Sequence, residues 1–102
     1  VNTTIWKYPV SLGSCLTVIE MPKGARILSI QEQHQAPTIW AEVDPEAPLE
    51  PRKILHTTAA TPQWQGWQDA TFLGTVLLAG GHYVAHFYEV TTFNPVAAEG
   101  QE

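Results

Sequence analysis

His82 and His86 stand four residues apart, the spacing at which two imidazoles on one helical face could share a zinc ion. Gly80-Gly81 before them and Tyr83-Val84 between them favour a strand instead. On a strand, i and i+4 lie about 13 Å apart at ~3.3 Å per residue, too far for one ion. No metal site is expected, and His86 stays as a candidate binding residue on a sheet face. Arg52, Ile54 and His56 share one parity of another β-rich run. A planar guanidinium with an imidazole beside it could hold a phosphate or carboxylate. The rival reading is a solvated face with Arg52 paired to Glu50 or a neighbour. Trp64-Gln65-Gly66-Trp67 places two indoles in a polar connection with no evident strand face to bury them. Loop aromatics give large contact areas at small entropic cost, and an indole stacks on a planar base. Trp64 and Trp67, with Trp40, therefore read as ligand-binding residues. The competing reading has Trp64 or Trp67 plug an open end of a barrel, and a subunit interface would satisfy both.

Acid–base catalysis needs two carboxyls at a set separation in contrasting environments. Asp44, Glu46 and Glu50 all fall within the Pro-rich stretch 44–51, DPEAPLEP, which reads as a loop and supplies neither. There is no nucleophile elbow, no phosphate-binding Gly-rich loop opening a helix and no Ser/His/Asp arrangement. Catalytic residues and cofactors are not expected, and the chain reads as non-enzymatic.

The elements that must position these residues are strands. Eight Pro and seven Gly interrupt the chain, and no helical stripe of useful length survives between them. Strands are expected over 5–10, 16–20, 27–33, 38–43, 52–58, 71–78 and 82–91. In the third, Leu28, Ile30 and Glu32 alternate against Ile27, Ser29 and Gln31; in the fourth, Ile39, Ala41 and Val43 face away from Trp40 and Glu42. Met21-Pro22-Lys23-Gly24-Ala25 reads as a tight turn, His34 to Pro37 as a polar turn, and Ala79-Gly80-Gly81 as a hairpin turn. One short helix is expected within 62–70. Seven short strands at this spacing imply an all-β sandwich or partly open barrel with little helix. Residues 1–95 make one β domain and 96–102 a flexible tail.

The chain has 102 residues and a formal net charge of −5. A domain of that size buries roughly 60–65% of its unfolded surface, enough to fold without metal or disulfide. Scattered acids and bases exclude a general nucleic-acid binder, which needs a basic patch. Four Trp in so short a chain favour a homo-oligomer. Cys15 is the single cysteine, compatible with the cytosol and expected as a buried structural thiol. No apolar run approaches a membrane span, and no signal peptide is apparent, so a cytoplasmic location is expected. A chain that begins at Val1 reads as processed.

The segments IWKYPV (5–10), EMPKGARILSIQEQ (20–33), WAEVDP (40–45), GTV (74–76) and HFYE (86–89) resemble a family of short proteins encoded by bacteriophages and prophages. The resemblance covers roughly residues 5 to 90. That family is of uncharacterised function, so it implies a phage context and a bacterial host cytoplasm but no mechanism. In that context the expectation is a binding protein that sequesters a nucleotide-type host immune signal. A protein–protein inhibitor or adaptor acting on a host protein is the alternative, and a structural phage accessory protein a third.

Overall fold

The computed structural model describes residues 2–58 and 70–90. Their seven strands are β1 (Thr4–Pro9), β2 (Leu16–Pro22), β3 (Arg26–Gln33), β4 (Ala36–Val43), β5 (Leu49–Thr57), β6 (Ala70–Leu78) and β7 (Tyr83–Val90). They form two antiparallel sheets, ordered β1-β4-β3 and β2-β5-β7-β6. The expectation of an all-β sandwich holds, and the barrel variant drops out because two separate sheets do not close on themselves.

Turn chemistry directs the chain between the sheets. The Ala25 N–H donates to the Pro22 carbonyl at 3.0 Å, and Gly24 supplies a φ of 82° at the third position of that turn. β3 and β4 are joined by only His34 and Gln35, with φ 54° and 66°. Primed hairpin turns use such positive angles because their twist matches that of the strands. The Glu32 carboxylate steadies this one by accepting from the Gln35 N–H at 2.6 Å. The polar turn is thus shorter than expected, and β4 takes in Ala36 and Pro37. In the β6–β7 connection Ala79, Gly80 and Gly81 form a 3-10 turn, and His82 lies in the turn rather than in β7.

Inner-face side chains interdigitate into one core that includes Ile19, Met21, Ile39, Ala41, Ile54 and Phe87. The alternation read for β4 holds, with Ile39, Ala41 and Val43 buried and Trp40 and Glu42 half-buried on the other side. In β3 it fails: a bulge lies between Ile27 and Ser29, so Leu28 is exposed while Ile27 and Ile30 both meet core residues of β4. Leu55 and Val90 are also buried, yet their parity places them on the opposite face of the four-stranded sheet from Ile54 and Phe87. That sheet is apolar on both sides near its centre.

Two other expectations change. The loop after β4 ends at Pro48, because β5 starts at Leu49 and takes in Glu50 and Pro51. Pro51 opposes Glu20 of β2, while pairing with β7 begins only at Lys53, so the missing N–H breaks no ladder on that side. Cys15 is exposed, since it precedes β2 in a bend where strand parity does not apply. The helix expected within 62–70 lies outside the described residues except for Ala70, which begins β6.

Candidate functional site

Four of the six candidate ligand residues are described, and they do not converge. Arg52 and His56 lie on the inner face of β5, on the same parity as core Ile54. The Arg52 guanidinium grips the Glu89 carboxylate of β7 with two nitrogens: Nε donates to Oε2, and Nη2 to Oε1 at 3.0 Å. Nη1 donates to the Ala25 carbonyl at 2.9 Å. The pair is mostly withdrawn from water, at 16% and 15% side-chain exposure. The Glu89 hydrogen bond raises the Arg52 pKa, against the opposing effect of burial. This fork is occupied, and it braces β5, β7 and the β2–β3 turn at one end of the core. Of the rival reading, the pairing to a neighbouring carboxylate holds, with Glu89 in that place, whereas the face is interior and not solvated.

His56 is buried with its ring 5.5 Å from that of Phe87, tilted by 31°. Burial lowers its pKa, so it sits as neutral imidazole in the core. His86 is on the outer face of the same sheet, where its Nδ1 shares a hydrogen bond with the Thr75 hydroxyl at 2.9 Å. Trp64 and Trp67 lie outside the described residues.

Trp40 is the candidate that lines an open groove. It occupies the outer face of β4, opposite Lys7 of β1 on one side and Ser29 of β3 on the other. Directly opposed residues point to the same face with Cβ atoms about 5 Å apart. A groove of about 460 Å³ runs along β1, lined by Ile5, Trp6, Lys7, Tyr8 and Trp40. The Lys7 ammonium reaches across β4 and donates to the Gln33 side-chain oxygen at 2.7 Å. No carboxylate lines the groove, so Lys7 sets its charge. Tyr8 adds a buried hydroxyl with no hydrogen-bond partner among the described residues, and desolvation raises its pKa. Sequence reasoning passed over Lys7, Trp6 and Tyr8. Their alternation was visible, but only the antiparallel pairing of β1 with β4, thirty residues distant, makes Lys7 a neighbour of Trp40.

A larger cavity, about 630 Å³, opens at the Arg52 end between Gly24, Glu50, Arg52, Lys53 and Glu89. Its cations and carboxylates offset one another, and Arg52 is held within the fold, so it offers no net charge to an anion. Among the described residues, no group of three or more His, Cys, Asp or Glu could hold a metal ion. No helix there is long and apolar enough to cross a membrane.

The architecture is thus that of a small all-β sandwich with an aromatic and cationic groove along β1. A family model described as a domain of unknown function, DUF7352, matches residues 1–98, and the chain belongs to that family. No curated protein matches it. No solved structure matches it either.

Proposed function

We propose that this domain is a non-enzymatic binding protein that takes a small planar anion of the nucleotide class into the Trp40–Lys7 groove. The observation that carries the reading is the cross-strand pair itself, an indole beside an ammonium in a groove free of carboxylates. A base stacked on Trp40 gains about 1–3 kcal/mol, and the Lys7 ammonium meets the phosphate as a compact charge. The groove volume falls within the roughly 300–1,000 Å³ of small-molecule sites. The resemblance to phage-encoded proteins gives such binding a purpose: sequestration of a host immune nucleotide in the bacterial cytoplasm, with the ligand held and not consumed. The site thereby moves from Arg52 and His56, which the fold uses internally, to Trp40 and its β1 neighbours.

A second reading, a protein inhibitor or adaptor, has its own observation. Ile5 is 57% exposed and Trp6 40% exposed on β1, which is a sheet edge among the described residues. Fluorescence titration against mononucleotides, linear dinucleotides and cyclic dinucleotides separates the two. Saturable quenching by one nucleotide is expected, weakened at least ten-fold by Trp40→Ala and by Lys7→Ala, with the nucleotide recovered chemically intact. Absence of quenching across the panel, or quenching unaffected by both substitutions, would overturn the nucleotide reading.

A further inference from the structure

β1 is hydrogen-bonded to β4 along one edge, and among the described residues no strand pairs with its other edge. A bare edge presents alternating N–H and C=O groups that template another strand. Proteins commonly guard such edges with Lys or Pro, and β1 carries both, yet neither blocks it. The Lys7 ammonium is drawn over the sheet to Gln33, away from the edge, and Pro9 stands at the end of the strand. Ahead of Lys7, Ile5 and Trp6 are exposed.

We propose that this edge pairs antiparallel with the same edge of a second copy, joining two Trp40–Lys7 grooves across one continuous six-stranded sheet. Parity restricts the register. Directly opposed residues point to the same face, so a two-fold axis perpendicular to the sheet must pass through a position opposite itself. Centring on Lys7 would set two ammonium stems against each other, an unfavourable like-charge pair. Centring on Trp6 sets it against the partner's Trp6, Ile5 against the partner's Lys7, and Thr4 against the partner's Tyr8. The aliphatic stem of Lys7 then packs on an apolar neighbour while its head stays with Gln33. Both grooves open on the same outer face, beside the seam.

A stable interface buries about 800 Å² per partner, more than two six-residue edges supply, so the pairing is weak alone and strengthened by a ligand spanning both grooves. Two indoles and two ammonium groups at one seam match a ligand with two bases and phosphates between them, a dinucleotide. The pairing stands on the edge geometry, whereas the dinucleotide preference rests on the nucleotide reading above.

Disulfide trapping tests the pairing. In a Cys15→Ser background, Trp6→Cys brings two thiols opposite each other at a separation that a disulfide spans. Oxidised dimer should form at least ten-fold faster than with Val18→Cys, a control on the exposed outer face of the other sheet. Equal rates would overturn the pairing. Sedimentation of the unaltered chain, alone and with cyclic di-AMP or AMP, tests the rest independently of any variant. A shift to dimer with one cyclic di-AMP per two chains, and none with AMP, is expected. Trapping without that shift keeps the pairing and overturns the dinucleotide preference. A monomer under every condition, with no trapping, overturns both and leaves the edge for a different chain.

Discussion

Arg52 illustrates how a side chain with binding chemistry can be consumed by the fold. Its planar fork suits a phosphate, but Glu89 of β7 reaches it first and the Ala25 carbonyl takes a further donor. Withdrawing either partner leaves a charge with little water to solvate it. Arg52→Ala should therefore destabilise the domain by about 2–4 kcal/mol, read as a lowered urea midpoint. Replacing both partners with apolar residues, Arg52→Met with Glu89→Leu, should recover most of that loss, because it removes the desolvation cost along with the attraction. If the double variant is no more stable than Arg52→Ala, the pair is not held by this balance. Trp40 is the opposite case: it stands half-buried on the outer face of β4, and its neighbour Lys7 is the charged residue of the groove.

The two sheets come closest at the β3–β6 seam, and irregular strands make that possible. β3 carries its bulge between Ile27 and Ser29, and β6 carries one between Phe72 and Gly74. A bulge re-aims side chains and increases local twist, which is why the simple alternation of Leu28 and Ile30 misassigns their faces. Gly74 lies where a Cβ would sit 2.9 Å from the Ile30 side-chain Cγ2. Ile30 is buried and β-branched, so it has little room to yield. Gly74→Ala should cost about 1–3 kcal/mol through overpacking, and the Ile30→Ala background, which removes Cγ2, should relieve part of it. Thermal unfolding of the single and double variants checks this, and equal penalties in both backgrounds would show that the close approach does not limit the seam.

For the whole molecule, the buried neutral His56 makes stability depend on pH. In the unfolded chain its imidazole takes up a proton near the usual 6.5, whereas burial lowers the pKa in the folded state. Below 6.5 the unfolded state binds more protons, so stability falls with falling pH until the folded pKa is passed. Above 6.5 the group contributes no slope. Glu42 acts in a lower window, because hydrogen bonds from Arg26 and Thr3 hold its pKa below the usual 4.5. Urea midpoints should decline from pH 6.5 toward 5, and His56→Gln should flatten that segment. An unchanged slope in the variant would place the proton uptake elsewhere.

The sequence by itself determined what depends on near neighbours. Gly24 in its turn, the Gly80-Gly81 connection, the two-residue alternation of β4 and the count of seven strands all follow from backbone and side-chain preferences over a few residues. The pairing order of the strands, the bulges at Leu28 and Leu73, and the partner of Arg52 were decided only in three dimensions. Lys7 and Trp40 become neighbours through β1–β4 pairing, and Arg52 meets Glu89 across the β5–β7 ladder. Such contacts join residues about thirty to forty positions apart, and local preference holds no information about which distant strand will pay the loop-closure entropy to arrive. The candidate site was legible only as far as Trp40, because a groove is a property of which strands meet.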